Sequence, residues 1–201
     1  MNVRKLFAVL SCALALTLAA CDRKQPIPKV SFASTDITGV GYGQALELTD
    51  HTGHRRTLAD YKGKVVVVFF GYTHCPDVCP TTLAEMAQIR KQLGPQGDKL
   101  QVLFITLDPE RDTQEALAGF VPAFDPTFVA LRGDAPQTKK VAAEFKVFMQ
   151  KVQATGSAAY TIDHTAATYV FDPQGRVRLF IRHGQDPTAM LNDIRQLIAG
   201  A

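Results

Sequence analysis

The chain has 201 residues, 22 Lys and Arg against 19 Asp and Glu, and a formal charge of +3. Its charge is close to balance, which gives no reason to expect nucleic acid as a partner. A hydrophobic content of 46% suits a folded globular domain and excludes a disordered or fibrous class.

Two of the basic residues, Arg4 and Lys5, open the chain and precede an apolar run from Leu6 to Ala20. That run fits the core of a signal peptide and falls short of the roughly 20 residues that span a bilayer. Leu18-Ala19-Ala20-Cys21 resembles the lipobox of bacterial lipoproteins. The resemblance implies cleavage before Cys21, lipid on that cysteine, and a domain held at the periplasmic face of the inner membrane. Asp22 resembles an inner-membrane retention signal. Residues 1–20 are therefore read as a lipoprotein signal peptide and residues 21–36, with Pro26 and Pro28, as a tether. Residues 37–201 suffice for one well-buried domain and are too few for two. Cleavage removes Cys12 and lipidation occupies Cys21. The folded part then owns two thiols, Cys75 and Cys79, in a compartment that permits disulfides.

Gln44 to Leu48 alternates weakly and Asp50-His51-Thr52-Gly53 is turn chemistry, predicting an N-terminal hairpin. Val65 to Phe70 is an unbroken apolar, β-branched run, the pattern of a strand buried on both faces. A helix is expected from Pro80 to Leu93, stopped by Gly94-Pro95. A second apolar strand covers Leu100 to Leu107. Asp108 to Thr113 reads as a strand-to-helix corner with Asp112 as the cap of a helix reaching Phe124. A site-supporting role for Asp108 is the alternative. A short strand at Phe128 to Leu131 and a helix from Ala135 to Phe145 follow. Thr155-Gly156-Ser157 reads equally as a mobile wall beside the site and as an ordinary mobile loop. His164 to Phe171 and Val177 to Arg182 form a hairpin across Asp172-Pro173-Gln174-Gly175. Asp186 caps the final helix, with Pro187 at its first position. This order predicts an α/β, thioredoxin-like fold: a central mixed sheet flanked by helices, with an N-terminal β-hairpin extension.

Cys75 and Cys79 stand where the buried strand gives way to a helix, and a helix N-terminus favours thiolates. Residues four apart on a helix lie about 5–6 Å apart at Cβ, whereas a disulfide wants about 4 Å. The pair can close with local adjustment, or it can hold one soft ion without closing. Two sulfurs suit Cu(I) and need one further donor. In a thioredoxin-like fold the segment entering the late strand faces the cysteine helix, which makes His164 the candidate, steered by Asp163 or a backbone carbonyl. A lone histidine at a strand entrance is otherwise a surface or hydrogen-bonded residue. His74 is a spare ligand or an exposed bystander. His51, His54 and His183 have no assigned role.

Three segments, Phe70 to Pro80, Leu107 to Thr113 and Asp163-His164-Thr165, resemble in order the signatures of the Sco/SenC family. The resemblance implies a thioredoxin-like copper protein tethered to a membrane, which helps assemble the copper centre of cytochrome c oxidase. It implies Cys75, Cys79 and His164 as ligands of Cu(I), Cu(II) or both, and Cys75–Cys79 as a redox disulfide. The partners it implies are the copper-bearing oxidase subunit and a thiol reductant protein. Against this metallochaperone reading stands an enzyme reading: a thiol–disulfide reductase or thiol peroxidase, in which one cysteine attacks and the other resolves.

Overall fold

In the computed structural model residues 30–153 and 159–201 are described. The signal peptide, Cys21, most of the tether and the loop at 155–157 lie outside them. Two strands form the spine of the fold, β4 (Val65–Gly71) and β5 (Leu100–Thr106), paired in parallel and buried at every position. β6 (Val129–Arg132) extends them in parallel. On the other side β9 (Ala167–Phe171) and β10 (Val177–Arg182) add antiparallel, as the expected hairpin. The edges are β1 (Thr35–Asp36) on β10, and the N-terminal hairpin of β2 (Glu47–Asp50) and β3 (Arg55–Thr57) on β6. The eight-stranded order is β1-β10-β9-β4-β5-β6-β2-β3, a mixed sheet of thioredoxin-like type.

Side chains alternate across β4, so its apolar run serves two cores. Val65, Val67 and Phe69 pack with Leu83, Met86 and Ile89 of α1 (Val78–Gln92) and with Leu191 and Ile194 of α4 (Pro187–Ile198). Val66, Val68 and Phe70 face Tyr169, Phe145 and Val141, the last on α3 (Ala135–Glu144). Each such side chain contributes about 1.5–3 kcal/mol on burial. That is why an unbroken apolar strand is stable only between two helical layers.

Some expected boundaries move, each for a physical reason. The helix expected to reach Phe124 is α2 (Gln114–Phe120), because Pro122 cannot continue it. Its cap is Thr113, whose hydroxyl accepts from the Ala116 N–H, and not Asp112. Asp186 does cap α4, accepting from Thr188 and Ala189. The strand expected to start at His164 starts at Ala167, as β9, and His164 belongs to a different strand. β7 (Met149–Gln153) and β8 (Tyr160–His164) form a separate antiparallel hairpin, with His164 as its last residue opposite Met149.

The compact unit containing all these strands starts at Phe32. The end of the segment read as tether is bound to it. The fully buried Asp193 accepts from the Ala33 N–H, the Ser34 N–H and the Ser34 hydroxyl, at 3.0, 2.8 and 2.6 Å. No helix among the described residues is long and apolar enough to cross a membrane.

Candidate metal centre

β4 ends at Gly71 and the chain turns through Tyr72 to Asp77 before α1 begins. Asp77 is the residue before the helix, but its side chain does not cap it. The Cys79 N–H donates instead to Cys75 Sγ at 3.4 Å, so a sulfur takes a place usually held by an oxygen. The Cys75 sulfur thus lies at the mouth of the helix, facing a backbone N–H. Both cysteines are free thiols; Cys79 is fully buried and Cys75 half-buried. Burial pushes the Cys79 thiol far up, and its contact with Cys75 adds to this, against a backbone hydrogen bond at Tyr72 that lowers it.

Gly71 makes room for that sulfur. A Cβ there would stand 2.7 Å from Cys79 Sγ and 2.8 Å from the Phe104 ring.

The Asp108–Asp112 segment is more than a corner. Asp112, fully buried, accepts from the Thr73 N–H at 3.0 Å and from the Thr73 and Thr106 hydroxyls at 2.5 Å. It thereby holds the start of the cysteine loop to the end of β5. Asp108, also fully buried, accepts from Arg111 Nε and, at 2.8 Å, from the Tyr160 hydroxyl. Arg111 Nη1 donates to the Tyr160 carbonyl at 3.0 Å, and its guanidinium lies 3.6 Å over the Tyr160 ring and 5.7 Å over that of Tyr72. The first aspartate thus fastens the β7–β8 hairpin, and the second fastens the loop. Asp108 therefore does more than turn the chain at a corner: it holds the hairpin that ends in His164. Tyr72, Arg111 and Tyr160 carried no assignment from the sequence. The Asp108–Arg111 spacing of three was the signal available for one of them.

His164 ends β8 with its ring edge-on to Tyr72, centroids 6.2 Å apart. Its Nδ1 lies 3.1 Å from the Thr165 carbonyl. A carbonyl only accepts, so Nδ1 carries the proton and Nε2 presents its lone pair. A backbone carbonyl does steer the ring. Burial lowers the His164 pKa below its ordinary value, against the Thr165 contact and the Asp163 charge, which raise it. Both favour a neutral, metal-competent imidazole with a defined tautomer. Among the described residues no three His, Cys, Asp or Glu side chains converge closely enough to hold a metal. The structure puts the two cysteines side by side and leaves His164 apart, with Tyr72 packed edge-on against His164.

Of the remaining histidines, His51 is structural: its N–H donates to the Ala130 carbonyl and its Nδ1 accepts from the Ala130 N–H.

A thioredoxin-like domain with a free Cys-x-x-x-Cys pair at a helix start, and a tautomer-set histidine on a neighbouring hairpin, defines a thiol-ligand class of protein. The family model described as SCO1/SenC matches residues 36–199. The SCO2-like protein of Rickettsia conorii is 32% identical over 198 residues, covering 96% of this chain and 97% of that protein. The mitochondrial protein SCO2 homolog of Bos taurus is 35% identical over 162 residues; the match covers 80% of this chain and 60% of the bovine protein's length. The ScoI structure of Bradyrhizobium japonicum, solved with copper bound, shares 37% identity at a TM-score of 0.71, covering 78% of this chain and 99% of that one. Apo Sco1 from Thermus thermophilus shares 34% at 0.73, covering 85% and 99%. This chain belongs to the SCO1/SenC family.

Proposed function

We propose that the protein is a membrane-tethered metallochaperone that carries copper on Cys75, Cys79 and His164 and delivers it to the copper centre of cytochrome c oxidase. The observation that carries this reading is the pair of free cysteines at the mouth of α1, where the Cys79 N–H donates to Cys75 Sγ. Thiolates and imidazole are the ligands that suit Cu(I) and Cu(II). The copper in the Bradyrhizobium ScoI structure, at 37% identity, supports the same cargo here.

Binding replaces the two thiol protons by one ion, which relieves the cost of burying a second negative sulfur at Cys79. His164 supplies the third bond through Nε2 when the β7–β8 hairpin closes on the cysteine loop. A three-coordinate ion keeps a side open for the recipient, as a closed four-ligand cage does not. Oxidation to a Cys75–Cys79 disulfide removes both thiolates, so a thiol reductant protein sets how much of the carrier can load. Cys21 as lipid anchor places the carrier at the periplasmic face of the inner membrane, beside its recipient.

Copper titration of the reduced and oxidised soluble domain tests this. We expect one copper per reduced protein, none on the disulfide form, and loss of tight binding in Cys75→Ser, Cys79→Ser and His164→Ala. Turnover of a disulfide or peroxide without metal, unchanged in His164→Ala, favours the reductase or peroxidase instead.

A further inference from the structure

We propose that His74 is the entry and exit ligand for copper: an exposed imidazole that meets the ion before Cys75 does and holds it last on release. The inference rests on the copper-carrying reading of the cysteine pair.

The donors lie at graded depth. Cys79 is fully buried, Cys75 is half-buried, and the His74 side chain, next in sequence to Cys75, is 57% exposed. An ion delivered by another molecule cannot reach a sulfur with no accessible surface until a more exposed donor has taken it. Copper(I) changes partners by adding the incoming ligand before losing the outgoing one, so a more exposed donor next in sequence to Cys75 shortens the exchange.

His74 is set up for that task by a chain of hydrogen bonds with one allowed direction. The Asp108 N–H donates to Thr106 Oγ1 at 2.9 Å, so the Thr106 hydroxyl proton goes to Asp112. The Thr73 hydroxyl also gives its single proton to Asp112. Thr73 Oγ1 therefore accepts from His74 Nδ1, 3.0 Å away, and the neutral ring keeps its lone pair on Nε2. A carboxylate behind the ring, here reached through one threonine, is the usual support of a metal-binding histidine. The same Asp–Thr–His relay recurs at Asp50, Thr52 and His54, away from the cysteines. The relay alone is thus not a site; its placement beside Cys75 makes the difference, and His54 serves as a built-in control.

In the transfer, a bond from copper(I) to His74 Nε2 forms as a bond to the donor molecule breaks. A bond to Cys75 Sγ then forms as its thiol proton leaves to solvent, and the bond to Nε2 breaks as Cys79 joins and gives up its own thiol proton to solvent. Copper stays Cu(I) throughout.

The test is stopped-flow transfer of copper(I) from its bicinchoninate complex to the reduced domain, followed by back-transfer to excess chelator. A transit ligand changes rates and leaves the equilibrium alone. In His74→Ala we expect forward and reverse transfer to slow equally, by about tenfold, with the end-point distribution unchanged. Thr73→Val, which frees the ring, should slow transfer by less, and His54→Ala should match the wild type. Because His74 is exposed, His74→Ala should keep its unfolding midpoint. Wild-type rates in His74→Ala overturn the proposal, and so does an end-point that falls with the rate, which would make His74 a resident ligand. A wild-type domain that takes no copper instead sinks the carrier reading itself.

Discussion

Cys79 sits in a pocket shaped around its sulfur, with Gly71 behind it and the Phe104 ring beside it. Gly71→Ala puts a methyl within 3 Å of both, and overpacking of this kind costs about 1–3 kcal/mol. We expect a lower urea midpoint and weaker copper binding together, since the displaced atom is a proposed ligand. An unchanged copper affinity in a destabilised protein would separate packing from ligation. The sulfurs themselves were legible in the sequence, because two cysteines after a buried strand have few other uses. Asp112 was not: an aspartate before Thr113 reads as a helix cap. Only the tertiary arrangement shows it turned inward to Thr73 and Thr106 while the threonine caps the helix.

The β7–β8 hairpin stands outside the main sheet and carries the proposed third ligand at its end. Its hold on the domain includes Arg111 and the Tyr160 hydroxyl, which both bind Asp108, and the Lys151–Glu110 pair at 2.7 Å. A neutral-to-charged hydrogen bond of this kind contributes about 1.5–3 kcal/mol. Tyr160→Phe should therefore raise amide exchange in both hairpin strands by about tenfold or more and weaken copper binding through His164. Amides of β4 and β5 should exchange as before. Uniform loss of protection across the sheet would instead make Tyr160 part of the global core. Sequence reading missed β7 because Met149 to Gln153 has no apolar alternation and four of its five residues are exposed. Its order comes from pairing with β8 and not from burial.

Across the whole molecule, the apolar strands, the N-terminal hairpin, the α1 start and the α4 cap were readable, since each rests on local pattern or capping chemistry. Strand order and the closeness of the hairpin to the cysteine loop depend on contacts remote in sequence. Buried carboxylates tie these remote parts together, and a further one, Asp50, bears on how the fold responds to acid. At Asp50, burial opposes ionisation, yet the Thr52 hydroxyl, the His54 N–H, Arg56 and the Thr52 N–H outweigh it and hold the carboxyl far below its usual range. A carboxyl more acidic when folded than unfolded stabilises fully above its unfolded pKa, near 4, and loses that contribution as pH falls toward its folded value. The urea midpoint should drop below about pH 4, and Asp50→Asn, less stable at pH 7, should show a shallower drop.

The strand pairings carry one more consequence. Phe69 lies opposite Thr168 and Thr168 opposite Ile181, so the end of β10 lies at the pole where β4 releases the cysteine loop. Just past β10, Gln185 donates to Ser34, the residue that Asp193 clamps. The start of this compact unit and the cysteine loop thus share one pole of the domain. A load applied to the chain at Phe32 would therefore be felt first by the strands that flank the cysteine loop, and not by the far edge formed by β2 and β3.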